Sequence, residues 1–352
     1  MKVIAPCCGA SSRFPNQPPK WMLPSHDGRP MLSIALSELD FDLDDLIVTI
    51  LADHEERFDV TKGLEKAFNR PIRTIVLQES TRSQTHTVAE TLRAAELDEP
   101  FLVKDSDNVF RLTDLRQEYN YVCCESLNSF DSINPRNKSY LQTNSQGIIT
   151  NIREKIVISD TFNVGGYYFV NPTMFLEYWD RLDAEKAEWN REIYLSDVIG
   201  SMILDGVPFR ARRVENYRDF GTVHEWRQTL MSRSAYFMLV DGFLFERGSE
   251  HFSPRFSDVK PNEAAIQSAK DLASEGHSII YLSIRSEKHR ELTEQQLRSL
   301  ELPEGPLLLE CPVAQWVLVT AAHPTLPFQT GRSLEVEPDD ENLFEKLAGE
   351  HR

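Results

Sequence analysis

A run of small residues, an arginine and a lysine follow the first strand-like stretch of the chain. Residues 3–5 lead into Cys8-Gly9-Ala10-Ser11-Ser12, then Arg13, then Pro19-Lys20-Trp21. A turn of small residues after a strand lets backbone N–H groups crowd round phosphate oxygens, and nearby cations add charge at fixed distances. These residues predict a polyphosphate site whose ligand is a nucleoside triphosphate. Two better-known phosphate loops do not fit. A Walker A loop needs Ser or Thr directly after its lysine, whereas Lys20 precedes Trp21, and a dinucleotide fingerprint needs three spaced glycines where this loop has Gly9.

Carboxylates mark two further segments. Phe101-Leu102-Val103-Lys104 runs into Asp105-Ser106-Asp107-Asn108, and Tyr217-Arg218-Asp219 precedes Phe220-Gly221-Thr222. A bound triphosphate calls for a metal to bridge its phosphates, and hard magnesium takes one or two carboxylates while keeping several waters. Ser83-Gln84-Thr85 opens a helical segment, and the Gln84 amide offers both a donor and an acceptor to a base edge. Arg153-Glu154-Lys155 sets a carboxylate beside an ammonium, ahead of Gly165-Gly166. Each feature alone has a plainer explanation: strand-end aspartates cap helices and form turns, Thr85 serves as an N-cap, and Glu154-Lys155 is a solvated ion pair. Their order along one stretch of chain is what gives them weight.

The elements that must position these groups alternate. Residues 3–5, Leu46–Leu51, Arg73–Leu77 and Phe101–Lys104 are short apolar runs; Val60–Phe68 and residues 85–97 and 192–204 carry helical spacing. Strands joined by helical crossovers imply a mainly parallel sheet covered on both faces, with ligands at the carboxyl ends of the strands. Residues 138–142, 148–152 and 166–170 read as further strands that give a mixed sheet over the substrate. Composition changes at Met231-Ser232-Arg233-Ser234, after which residues 236–240, 263–275 and 278–283 read as strand, helix, strand. The expected domains are therefore 1–232 and 235–348, both α/β.

With 352 residues and 41% hydrophobic content the chain can build two cores. Its formal charge of −17 argues against nucleic-acid or anionic-membrane partners. A triphosphate site must then be locally positive, which gives Arg13, Lys20, Arg82 and Lys155 added meaning. Cys7, Cys8, Cys123, Cys124 and Cys311 form two adjacent pairs and a singleton, spacing that suits neither a zinc ribbon nor a disulfide framework. They are expected to be reduced and mostly buried. No apolar run has the length of a membrane helix, and Met1-Lys2-Val3-Ile4 passes directly into a strand, so cytoplasm is the expected compartment.

Taken in order, these segments resemble the sugar-1-phosphate nucleotidyltransferases (nucleotide-sugar pyrophosphorylases), whose loop runs Ala-Gly-x-Gly-Ser-Arg and is followed by Pro-Lys. Here Ser11 stands at the second glycine, and Ser83 at a glycine of the base-reading loop. The resemblance implies a Rossmann-like, GT-A-like mixed sheet. It assigns Gly9, Ala10, Ser11, Ser12, Gln84 and Thr85 to the nucleotide, Arg13 and Lys20 to catalysis, and Glu154, Lys155 and Gly166 to the acceptor. Asp107 and Asp219 would hold Mg2+, with Asp105 the alternative to Asp107; Asp219 lies in a close match to the family's Asp-x-Gly-Thr pattern. The implied reaction joins a nucleoside triphosphate to a sugar 1-phosphate or similar small phosphate, with loss of pyrophosphate, for capsule or other surface polysaccharide. The nucleobase, the acceptor and any homo-oligomer stay open at this point.

The second region resembles haloacid dehalogenase-like phosphatases. In Leu239-Val240-Asp241-Gly242, leucine takes the place of the nucleophilic aspartate, and a leucine forms no aspartyl-phosphate. Ser283 matches the phosphate-binding position, while Thr320-Ala321-Ala322 follow Trp316–Val319 where a metal carboxylate belongs. A module without phosphatase chemistry is the expectation. Two other functions compete with the transferase: a nucleotide-binding regulatory pseudoenzyme, favoured by Ser11 and Ser83, and a transferase with a working phosphatase, which lacks its aspartate.

Overall fold

In the computed structural model the chain divides into two compact units, Met1–Trp226 and Arg227–Arg352. The structure describes residues 1–9, 18–130, 138–185 and 192–312, and beyond these 314, 317, 319, 333–334 and 343–348. Ala10, Ser11, Ser12 and Arg13 lie outside the described residues, as do Trp316, Leu318 and Thr320-Ala321-Ala322.

The first unit begins with β1 (Lys2–Pro6), α1 (Met31–Leu36), β2 (Leu46–Leu51), α2 (Ala52–Phe58), α3 (Val60–Phe68) and β3 (Arg73–Leu77). It continues with α4 (Gln84–Ala95), β4 (Phe101–Lys104), β5 (Asn108–Arg111), β6 (Asn120–Ser126), β7 (Ser139–Thr143), β8 (Ile149–Glu154) and β9 (Thr161–Phe169). Helices α5 (Pro172–Glu185) and α6 (Leu195–Leu204), strands β10 (Phe209–Arg213) and β11 (Glu215–Asp219) and helix α7 (Val223–Met231) follow. The division between units falls inside α7.

A nine-stranded sheet runs β10-β6-β9-β4-β1-β2-β3, with β7 and β8 joined at β9. Strand β1 is parallel to β2 and β4, and β9 is antiparallel to β4 and β6, so the sheet is mixed. Side chains of the central strands alternate between two cores. Val3, Ala5 and Leu102 pack with Leu32, Leu36, Val60 and Leu64 on one face. Ile4, Phe101 and Val103 pack with Val88, Leu92, Phe175, Trp179 and Ile199 on the other. Burial on both faces is why these strands read as continuous apolar runs. Helix α4 starts one residue earlier than its spacing suggests, because its N-cap is Ser83, whose Oγ accepts from His86 N at 3.1 Å. Thr85 is thereby the second helical residue and not the cap.

The second unit holds a three-stranded parallel sheet of β12 (Ala235–Leu239), β13 (Ser278–Leu282) and β14 (Leu307–Leu308). Helices α8 (Glu263–Ser274), α9 (Arg290–Ser299) and α10 (Leu343–Ala348) accompany it. Met238, Ile279 and Tyr281 pack against Ile266, Ala269 and Leu272 in its core.

Candidate active site

The ends of β1 and β4 open into a cavity of about 680 Å3 lined by Gly9, Lys20, Gln84, Thr85, Asp105, Asp107, Glu154, Lys155 and Asp219, among others. The described site residues predicted from sequence thus share one space, with one exception. Gly166 lies inside β9, packed on Cys123 and Phe110, and it is Gly165 that reaches the cavity wall.

Asp107 and Asp219 come together through a two-stranded antiparallel ladder. Strand β11 pairs with β5 so that Asp219 is opposite Asn108, and Phe220 N donates to Asp107 O at 2.9 Å. The two carboxylates meet over Gly221: a β-carbon there would lie 2.9 Å from Asp107 Oδ2 and 3.1 Å from Asp219 Oδ1. Gly221 N also donates to Asp219 Oδ1 at 2.9 Å. Among the described residues no three or more His, Cys, Asp or Glu side chains form a metal cage. Two carboxylates converging on a hollow that a methyl group would fill is the donor set that suits magnesium, which retains waters and takes its other ligands from substrate phosphates.

Both carboxylates have lysine partners. Lys20, on a single turn (Lys20–Met22), pairs with Asp107, and Lys138 pairs with Asp219. Burial raises the Asp107 pKa, but the charge and hydrogen bond of Lys20 outweigh it and hold the group below the usual carboxylate range. Lys138 also donates to Tyr217 OH at 2.7 Å.

Asp105 faces elsewhere. Its Oδ1 accepts from Gln84 Nε2 at 2.5 Å, and its Oδ2 lies against Gly165, where a β-carbon would approach to 2.4 Å. Gly165 has φ +82°, so both backbone and space call for glycine. Burial and the neighbouring Asp107 raise the Asp105 pKa to about 6. Beneath the pair, Lys104 is fully buried. Its Nζ donates to Asp105 O at 2.7 Å and to Asn108 O and Oδ1 at 2.8 and 2.7 Å, and sits 4.7 Å from the Phe110 ring centroid. Burial pulls its pKa down to about 8. It ties down both ends of the loop that carries Asp105 and Asp107.

Thr85 Oγ1 is buried without a hydrogen-bond partner among the described residues, on the first turn of α4. On the opposite wall Glu154 Oε2 accepts from Ser139 Oγ and, at 3.1 Å, from Ser196 Oγ, which fixes the carboxylate. Lys155 Nζ donates to Tyr194 OH at 2.9 Å and stacks 4.6 Å from that ring's centroid.

Comparison with known structures follows this geometry. A nucleoside-diphosphate-sugar pyrophosphorylase from Vibrio cholerae RC9 superposes with a TM-score of 0.54 at 21% identity, over 65% of this chain and 99% of that one. A Bacillus anthracis protein described as a glucose-1-phosphate thymidylyltransferase, solved with a sucrose, gives 0.52 at 18%, over 65% and 93%. The inositol-1-phosphate CTP transferase of T. maritima gives 0.50 at 14%, over 64% and 90%. The chain carries the nucleotidyltransferase fold. No protein-family model matches the sequence, and no curated protein matches it. The matched share of this chain is about that of its first unit.

Lys138, Ser139, Tyr217, Gly165 and Lys104 are the residues of this nucleotidyltransferase-fold site that sequence reading passed over. Lys138 and Lys104 fell inside stretches read only as strands, and no local motif marks a lysine whose partner is 81 positions away.

In the second unit Asp241 and Ser283 also meet, with Ser283 Oγ donating to Asp241 Oδ2 at 2.7 Å. Arg285, fully buried, covers them: its Nε and Nη2 lie 2.9 and 2.8 Å from Asp241 Oδ1. Its Nη1 donates to Gln296 Oε1 at 2.5 Å and Thr293 Oγ1 at 3.2 Å.

Proposed function

We propose that the first unit joins a nucleoside triphosphate to a phosphorylated small molecule, a sugar 1-phosphate or a similar phosphate, and releases pyrophosphate. The observation that carries this reading is the meeting of Asp107 and Asp219 over Gly221, with Lys20 and Lys138 beside them, in the cavity that also holds Gln84, Glu154 and Lys155.

In this reading Gln84 and the first turn of α4 take the nucleotide, and Glu154 and Lys155 take the acceptor's hydroxyls and phosphate. An acceptor phosphate oxygen attacks the α-phosphorus in line. The new P–O bond forms as the bond from the α-phosphorus to the bridging oxygen breaks, and that electron pair leaves on pyrophosphate. Little proton chemistry is needed, so catalysis is positioning and charge neutralisation. Asp107 and Asp219 would hold magnesium, which supplies Lewis-acid charge at the phosphate oxygens. Lys20 would screen the anions that must approach one another, and the resemblance gives Arg13 the leaving β- and γ-phosphates. The enzyme would act in the cytoplasm, and products of this class would feed assembly of capsule or other surface polysaccharide.

The second unit we read as a haloacid dehalogenase-like module without phosphatase chemistry. Support comes from Leu239 at the nucleophile position and from the engagement of Asp241 by Arg285 and Ser283. The test of the transferase is pyrophosphate release with magnesium, the common triphosphates crossed against phosphorylated sugars and polyols. Turnover with one pair, lost in Lys20→Ala, supports the proposal; nucleotide binding without turnover on any pair favours a regulatory nucleotide-binding protein.

A further inference from the structure

Lys138 is a buried cation of the cavity to which the proposed chemistry gives no task. Its side chain is 10% exposed, and the ammonium sits between Asp219 and Tyr217 OH, with the Phe162 and Tyr217 ring centroids 5.7 and 5.3 Å away. Its backbone joins the acceptor wall: Lys155 N donates to Lys138 O at 2.9 Å, and the adjacent Ser139 is the register partner of Glu154 and donates to it. One residue therefore reaches the carboxylate on the metal side while being built into the strand pair that presents Glu154 and Lys155.

We infer that Lys138 is a second active-site cation that changes partners: it neutralises Asp219 in the empty enzyme and binds the acceptor's phosphate once Asp219 serves the metal. The inference rests on the transferase reading. A partly buried carboxylate needs a counter-charge, and the ammonium supplies it when no divalent cation is present. With Asp219 taken, an ammonium held only by a phenol oxygen and two ring faces is under-neutralised beside a dication. The acceptor's phosphate must approach another anion, and Lys138 would give it a second ammonium at this wall beside Lys155. Lys20 and Asp107 stand in the same relation on the nucleotide side. Two lysine–aspartate pairs are exchanged for two aspartate–metal and two lysine–phosphate contacts, so charge pairing is conserved through substrate entry. Occupation of this site by a divalent ion alone would cost both lysine–aspartate pairs, so the two aspartates would hold it more weakly without the triphosphate and acceptor to take the lysines.

The test uses the full chain with Lys138→Met and Lys138→Arg. Manganese binding without nucleotide, read by the loss of the free-ion electron paramagnetic resonance signal, is expected to be at least about fivefold tighter in Lys138→Met than in wild type, the lower end of ordinary coupling between sites. In steady state, Lys138→Met is expected to raise the acceptor KM about 10- to 100-fold, the worth of a charged hydrogen bond, while the triphosphate KM stays within about twofold. Lys138→Arg should restore most of the acceptor affinity. A lysine that merely packs would lower kcat or stability without splitting the two KM values. Unchanged manganese affinity, or an unchanged acceptor KM, overturns the inference. Should Lys138→Met not fold, Lys138→Gln keeps a donor to Tyr217 and carries the same two readouts. Wild-type turnover is the control: its absence refutes the transferase reading, and the manganese titration then decides the exchange at Asp219 by itself.

Discussion

Gly221→Ala tests whether the two carboxylates act as one site. The added β-carbon would lie 2.9 Å from Asp107 Oδ2 and 3.1 Å from Asp219 Oδ1, against an ordinary contact of 3.4 Å or more. Each carboxylate has to retreat by a few tenths of an ångström, and the lysines paired with them must follow. Catalytic groups have to be held to within about 0.5 Å of productive geometry, and a displacement of about 1 Å can cost about 100-fold in rate. The expected loss in kcat/KM is therefore about 10- to 100-fold, with magnesium dependence shifted to higher concentration. The nearest atoms to the new methyl group belong to the Asp107 and Asp219 side chains, so folding is expected to change little and Tm to move by no more than a few degrees. The assay pairs pyrophosphate release over a magnesium titration with a thermal melt. Wild-type kcat/KM in a folded Gly221→Ala protein would refute the convergence of Asp107 and Asp219 as the catalytic metal site.

Gln84→Ala should raise the triphosphate KM about 10-fold or more and narrow the difference between preferred and rejected bases, measured as kcat/KM across the four triphosphates. Asp105 has a folded pKa raised from 3.8 to about 6, so between about pH 4 and 6 the native state binds more protons than the unfolded chain. Its contribution to stability is accordingly greatest at the acid end and is lost as pH rises through about 6; melts from pH 4 to 7 should show Asp105→Asn gaining on wild type toward neutrality. In the second unit Arg285→Ala leaves Asp241 buried without its cation. Loss of one partner of a buried pair costs about 3–5 kcal/mol, and a two-step denaturation profile should move in its second-unit transition while pyrophosphate release is retained.

Much of the sheet could be read from the chain because its central strands are buried on both faces. Leu46–Leu51, Arg73–Leu77 and Phe101–Lys104 appear with the bounds their composition suggests. Strand β9 was harder: it begins at Thr161, five residues before residue 166, because Asn163 and the adjoining glycines read as turn residues. In the structure Asn163 Oδ1 accepts from Gly165 N at 2.8 Å inside the strand. Local motifs singled out Lys20, Gln84, Asp107, Glu154, Lys155 and Asp219, which line one cavity in the structure, since each sits beside a turn whose residue types are distinctive. The pairing of these groups was not legible. It depends on the β5–β11 ladder, on Lys104, whose meaning comes from burial, and on Lys138, whose partners Tyr217 and Asp219 are distant in sequence. Strand register puts Gly165 at the cavity wall and packs Gly166 on Cys123 and Phe110, a difference of one residue that composition does not carry.

The most direct test of the central claim follows the two ends of the triphosphate separately. With the triphosphate and acceptor that release pyrophosphate, one reaction carries 32P in the α-position and a second carries it in the γ-position, and products are resolved by ion-exchange chromatography. The account predicts α-label in a new diphosphate joined to the acceptor and γ-label entirely in pyrophosphate. Appearance of γ-label on the acceptor, or α-label only in free nucleotide, would contradict it.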